Sequence, residues 1–156
     1  MLRGIKKILV PVDFSECSRN AFHYALDIAR ETKASVFILN VIDTELINEI
    51  VRLDPSSKEH IKKNLEKNAK SEFDGMMSES VKKRKGVVVR ELVEEGIPFI
   101  HILKKAKDLG VDLIVMGSFG TSSPMRRLFF GSTAEKVLRG VKVPVVCVPL
   151  PEVIEG

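Results

Sequence analysis

The chain has 156 residues, of which 44% are apolar and 29% charged, a composition typical of a folded globular protein rather than a disordered one. No apolar run approaches the roughly 20 residues that span a bilayer, and the N-terminus has no signal-peptide pattern, so we expect a cytoplasmic protein that does not bind membranes. The net charge of +4 is small, and the absence of Trp leaves few side chains for base stacking, which argues against nucleic-acid binding.

Strand-like and helix-like segments alternate along the chain. Short apolar runs predict five β-strands, at residues 8–12, 35–41, 86–93, 111–116 and 143–148. Apolar residues at helical spacing predict four helices, at residues 21–29, 56–85, 98–109 and 132–140. The alternation predicts one α/β domain over residues 1–156, with a mostly parallel sheet and helices on both of its faces.

Two helix starts carry a recognisable pattern. The segments 56–59 and 132–135 both match the capping box, in which a Ser or Thr side chain and a Glu three residues later satisfy the first N–H groups of a helix. Between the second strand and the long second helix, residues 43–54 are expected to be an irregular connection.

Ligands of an open parallel sheet bind beyond the carboxyl ends of its strands, where the strand order reverses. Asp13 follows the first strand directly, so its carboxylate is a candidate for binding a ligand hydroxyl or ring nitrogen. Asp13 and Glu16 also fit a capping box at the start of the first helix. The residues alone support these two roles about equally.

The loop from Gly117 to Ser132 follows the fourth strand and opens the last helix. Glycines let backbone N–H groups approach an anion, and the positive end of the helix dipole favours a phosphate there. The hydroxyls of Ser118, Ser132 and Thr133 add further donors. Glycine is also the ordinary residue of a turn after a strand, so this pattern is moderate evidence for a phosphate site.

The sequence resembles the universal stress protein family over essentially its whole length. The likeness lies in the start of the chain at 8–15, in Asn40 and Val41 at the end of the second strand, and in the C-terminal block 115–145 with its glycines. The resemblance implies a single doubly wound, Rossmann-like domain whose five-stranded sheet has the order 3-2-1-4-5. That order places the switch point between the first and fourth strands.

The resemblance also implies adenine nucleotide binding, with ATP or AMP as the ligand and any Mg²⁺ held through the phosphates. In nucleotide-binding members the matching residues surround adenine, ribose and phosphates; here they are Pro11, Val12, Asp13, Val41, Met116, Gly117, Gly120, Gly131, Ser132 and Thr133. With the resemblance counted, the ligand role of Asp13 is favoured over the cap.

One feature departs from the family pattern G-x2-G-x9-G-[S/T]. Ten residues, Pro124 among them, separate Gly120 from Gly131. The extra residue either bulges outward or displaces one end of the phosphate loop. The alternative function is therefore an ATP-independent dimeric interaction or adaptor protein. Arg126 and Arg127 in this loop either neutralise phosphate or lie exposed to solvent.

The chain lacks a P-loop and a placed catalytic base, so we expect a regulatory stress-response protein with slow ATP hydrolysis at most. The family resemblance implies a homodimer formed through the last strand, which carries Val143, Val145 and Val148. The alternative is that the C-terminal tail covers this strand. Cys17 and Cys147 are expected to be free thiols.

Overall fold

The structure of the chain is a computed structural model that describes residues 4–119 and 130–150. Its elements are β1 (Lys7–Pro11), α1 (Glu16–Thr32), β2 (Ser35–Asp43), α2 (Thr44–Leu53), a short 3₁₀ turn (Pro55–Ser57), α3 (Lys58–Ser80), β3 (Val89–Gly96), α4 (Pro98–Leu109), β4 (Leu113–Gly117), α5 (Ser132–Gly140) and β5 (Val145–Val148). Over those residues no helix is both long and apolar enough to cross a bilayer.

The five strands form one sheet in the order β3-β2-β1-β4-β5, and every neighbouring pair is parallel. In the centre of the sheet Leu9 of β1 lies between Phe37 of β2 and Ile114 of β4. The chain moves outward from β1 to β3 and then returns to the other side of β1 with β4. The predicted fold and strand order are thus confirmed, and the order reverses between β1 and β4.

Helices cover both faces of the sheet, and each face has its own apolar core. On one face, Phe22 of α1 and Phe73 of α3 pack against Ile38 of β2. On the other face, Ile102 of α4 and Val137 of α5 belong to a second cluster that includes Leu9 of β1 and Phe37 and Leu39 of β2. The alternation of side chains along the strands separates these two clusters, which is why β1 reads as a continuous apolar run.

The prediction of an irregular connection at 43–54 was wrong, because residues Thr44–Leu53 form helix α2. Asp43 caps this helix, and its side chain accepts a hydrogen bond of 2.9 Å from the backbone N–H of Glu45. Within α2, Ile47 is buried, whereas Leu46 and Leu53 are exposed. The helix begins directly at the carboxyl end of β2.

Both predicted capping boxes were also wrong. At the start of α3, the N-cap Ser57 makes no side-chain cap bond, and the backbone N–H of Ser56 instead donates to Asp54. At the start of α5 the N-cap is Gly131, which precedes the predicted capping residue Ser132 and has no side chain to serve as a cap. The long helix α3 continues through Gly75 and ends at Ser80 rather than at residue 85.

Candidate functional site

A cavity of about 460 Å³ opens at the carboxyl end of the sheet, at the switch point between β1 and β4. Its volume lies in the range of pockets that hold small ligands and cofactors. Nine of the ten predicted site residues line it: Pro11, Val12, Asp13, Val41, Met116, Gly117, Gly131, Ser132 and Thr133. The tenth, Gly120, lies outside the described residues, as do Pro124, Arg126 and Arg127.

Hydrogen bonds fix the backbone where the chain leaves β1. The N–H of Val12 donates to the carbonyl of Leu39 at 2.8 Å, and the side-chain amide of Asn40 donates to the carbonyl of Val12 at 2.9 Å. Asn40 is only 8% exposed and lines the cavity. Sequence reasoning missed this role, although an amide in an otherwise apolar buried strand was a signal that it has a specific partner.

Asp13 lies just beyond this fixed point and is exposed at the cavity. The backbone N–H of Ser15 donates to its Oδ1 at 3.0 Å. The cap of α1 is Ser15 itself, whose Oγ accepts from the N–H of Ser18 at 3.1 Å. The alternative in which Asp13 and Glu16 form the capping box was therefore wrong, and the carboxylate of Asp13 faces the cavity without capping a helix.

Between Asp13 and Ser15, Phe14 adopts the left-handed conformation with φ of 64°. Its ring packs edge-to-face on Phe73 of α3, with ring centroids 5.4 Å apart and an interplanar angle of 73°. The sequence offered no sign of this contact, because the two residues are far apart in the chain.

A second carboxylate, that of Asp43, lines the cavity from the end of β2. Sequence reasoning missed it because helix α2, which it caps, was not predicted. Asp13 and Asp43 are the charged side chains among the described lining residues. Among the described residues, attraction for an anion in this cavity therefore comes from backbone N–H groups.

Such groups stand at the start of α5. The N–H of Gly131 donates to the carbonyl of Ser118 at 2.9 Å, which ties the start of the helix to the end of β4. The first backbone bond of the helix runs from the N–H of Glu135 to the carbonyl of Gly131 at 3.0 Å. The N–H groups of residues 132–134 precede it and have no acceptor within the helix, and these residues line the cavity. This end of α5 therefore favours an anion.

Gly117, at the end of β4, is explained first by packing. A Cβ at this position would lie 2.9 Å from the Sγ of Cys17 and 3.1 Å from its carbonyl carbon. The same thiol donates to the carbonyl of Val148 at 3.4 Å. Glycine at 117 thus lets α1 approach the sheet closely, in addition to any role toward a ligand.

Hydrogen bonds from His101 and Lys105 to Glu94 hold the first half of α4, which supplies Pro98 and Ile102 to the cavity. Glu94 of β3 contacts the Nδ1 of His101 at 2.7 Å and the Nζ of Lys105 at 2.6 Å. Burial raises the pKa of Glu94, but the hydrogen bonds from Lys105 and His101 outweigh it and leave that pKa below its ordinary value. The carboxylate therefore stays ionised and ties α4 to β3.

No group of three or more His, Cys, Asp or Glu side chains in residues 4–119 and 130–150 could hold a metal ion. Cys17 and Cys147 are both free, as predicted. Burial raises the pKa of the Cys147 thiol, and the neighbouring Cys17 adds to the effect. Cys147 therefore stays protonated at neutral pH and acts as a packing residue.

Comparison with known proteins gives a consistent result. The model of the universal stress protein family matches residues 4–149. The universal stress protein MJ0577 of Methanocaldococcus jannaschii is 31% identical over 155 residues, 92% of this chain and 94% of the relative. The solved structure of hypothetical protein MJ0577 covers 97% of this chain and 100% of its own, with 30% identity and a TM-score of 0.83. The universal stress protein from Archaeoglobus fulgidus in complex with dAMP shares the fold at 22% identity, with a TM-score of 0.62 over 94% of this chain and 99% of its own.

Proposed function

This chain belongs to the universal stress protein family, and from that premise we propose that it binds an adenine nucleotide, ATP or AMP, as a regulatory stress-response protein. The observation that supports this proposal best is the switch-point cavity, which has the carboxylate of Asp13 on one side and the uncapped start of α5 on the other. The dAMP held by a protein of the same fold supports the same class of ligand.

The two sides of the cavity suit the two ends of a nucleotide. A carboxylate accepts hydrogen bonds from ribose hydroxyls, and one oxygen of Asp13 is already oriented by Ser15. The N–H groups at the start of α5 suit phosphate oxygens. In this arrangement the sugar lies over the exit of β1 and the phosphates lie over residues 131–133.

Mg²⁺ would be bound largely through the ligand. Asp13 and Asp43 are the described carboxylates in the cavity, and each already accepts a backbone N–H with one oxygen. Mg²⁺ commonly keeps several waters and is held by phosphates with one or two carboxylates. We therefore propose that any metal arrives with the nucleotide.

Calorimetry with ATP and with AMP tests the proposal. Asp13→Ala removes the carboxylate and Gly131→Val crowds the start of α5, and both are expected to abolish micromolar binding. The backbone of Gly131, with φ of −64° and ψ of 160°, is open to valine, so a loss of binding there would not come from strain. Glu16→Ala, an exposed acid outside the cavity, is the matched control and is expected to bind normally.

Full affinity in both cavity variants would rule out this site. Mass spectrometry of small molecules released from the denatured wild-type protein gives an independent answer, since a co-purified adenine nucleotide is expected. If the wild-type protein binds neither ATP nor AMP at millimolar concentration, the ATP-independent adaptor function takes the place of this proposal. Phosphate release from bound ATP is expected to be slow, because the described lining residues include no lysine.

We also propose that the chain forms a homodimer through β5, which is an edge strand. The carbonyls of Pro144 and Val148 accept hydrogen bonds from the β4 side, so the backbone groups of Val145 and Cys147 point outward from the sheet. Residues 151–156, the part of the tail that could cover this edge, lie outside the described residues. An uncovered apolar edge is a template for pairing with a second copy. Val145→Pro removes an outward N–H and is expected to give monomers in sedimentation equilibrium, whereas an unchanged dimer would place the interface elsewhere.

A further inference from the structure

Phe14 adopts a backbone conformation that an aromatic residue avoids. Its φ of 64° lies in the left-handed region, where a side chain crowds its own backbone. Lys33 shares this conformation, but it ends helix α1, where a left-handed residue is usual. Phe14 ends no helix, so contacts elsewhere must hold its conformation.

The contact that holds it comes from α3. The ring of Phe14 meets the ring of Phe73 edge-to-face, a favourable geometry for two aromatic side chains. Phe73 is 1% exposed and belongs to the core between α1, α3 and the sheet, so it is a rigid partner. If Phe14 left the left-handed region, its ring would leave this contact.

Phe14 connects two fixed points of the cavity wall. Val12 is held by Leu39 and Asn40, and Ser15 is held as the cap of α1. The left-handed turn at Phe14 returns the chain so that the N–H of Ser15 reaches Oδ1 of Asp13. The orientation of the Asp13 carboxylate therefore depends on the conformation of Phe14.

We propose that Phe73, through its contact with Phe14, is a positioning residue that fixes the Asp13 carboxylate for the ligand. This inference rests on the proposed nucleotide site, and it makes Phe73 a determinant of affinity although Phe73, unlike Leu65 and Asn68 of the same helix, does not line the cavity. The inference concerns ligands that carry a sugar, because the oriented carboxylate of Asp13 binds the hydroxyl groups of the sugar.

The test compares Phe73→Leu with Phe22→Leu in the full-length protein. Phe22 is 0% exposed and lies in the same core, but the ring that pairs with Phe14 is that of Phe73, so Phe22→Leu provides the same loss of a ring without loss of that aromatic pair. NMR measures the hydrogen-exchange rate of the Ser15 N–H, and calorimetry measures the Kd for AMP. In Phe73→Leu we expect the Ser15 N–H to exchange about fivefold faster and AMP to bind about fivefold more weakly than in Phe22→Leu.

Equal exchange at Ser15 and equal affinity in the two variants would overturn the inference. If Phe73→Leu does not fold, Phe14→Ala decides the question, because alanine keeps the strain of the left-handed turn but has no ring to contact Phe73; unchanged exchange at Ser15 in that variant would also overturn it. If the wild-type protein binds no AMP, the proposed function fails, while the exchange of the Ser15 N–H still decides whether Phe73 holds the turn.

Discussion

Replacing Gly117 with alanine tests the close packing of α1 on β4. The new Cβ would lie 2.9 Å from Sγ and 3.1 Å from the carbonyl carbon of Cys17, closer than such contacts normally allow. Overpacking of this kind costs about 1–3 kcal/mol. The substitution also lowers the conformational entropy of the unfolded chain, which offsets about 0.4–1 kcal/mol of this loss of stability. We expect a net loss of about 1–2 kcal/mol, equivalent to a fall in Tm of roughly 2–8 °C.

Urea unfolding followed by far-UV circular dichroism is the suitable assay, since the chain has no Trp and one Tyr. Gly75→Ala is the matched control: it lies within α3 with no atom near its Cβ, and it should stabilise the protein by about 0.5–1 kcal/mol. Adding Cys17→Ala removes the sulfur atom and should recover about 1 kcal/mol of the loss at 117. If Gly117→Ala costs the same with and without Cys17, the packing explanation is wrong.

Three further substitutions test other contacts. Asn40→Leu leaves the carbonyl of Val12 without its donor and should cost about 1–3 kcal/mol in the same unfolding assay. Gly96→Ala, with φ of 153° and a Cβ 2.1 Å from the ring of His101, should cost more than about 2 kcal/mol, and His101→Ala should restore only part of it. Burial and a neighbouring guanidinium lower the pKa of His23 below 6.5 in the folded protein. The contribution of His23 to the free energy of unfolding is therefore fully present above pH 6.5 and is lost as the pH falls toward that lowered pKa. His23→Gln should flatten this decline, and an unchanged pH profile would contradict the assignment.

The sequence was sufficient to predict the three central strands, because β1, β2 and β4 are buried on both faces and are continuous apolar runs. The edge strand β3 is largely exposed, and its weaker apolar run placed it three residues too early. The family resemblance then supplied the order of the strands. Helix α2 was missed although Leu46, Ile47 and Ile50 are spaced as on a helix, because the segment is short and lies between two turn-like aspartates. Local patterns also misplaced the helix caps, since Gly131 in an extended conformation took the position expected for a serine.

Within the candidate site, the residues at strand ends could be predicted and their supporting contacts could not. Asp13 and Gly117 follow strands directly, so topology alone brings them to the switch point. The contact of Gly117 with Cys17 spans a hundred residues of chain, and that of Phe14 with Phe73 nearly sixty, so neither leaves a local signal. Such contacts depend on how the helices pack on the sheet, which is decided only in the folded chain.

The cavity at the switch point is lined by four segments at the ends of strands and at the start of α5, residues 11–14, 39–43, 116–119 and 131–134, together with side chains of helices α1 to α4, and these parts meet only when the sheet is complete. A ligand of this cavity therefore binds the folded chain and not the unfolded one, and it lowers the fraction of unfolded molecules. At a concentration a thousand times its Kd, a ligand adds about 4.1 kcal/mol to the free energy of unfolding. Proteolysis that proceeds through the unfolded chain would slow by about a thousandfold under those conditions, so the lifetime of this protein would follow the concentration of its ligand.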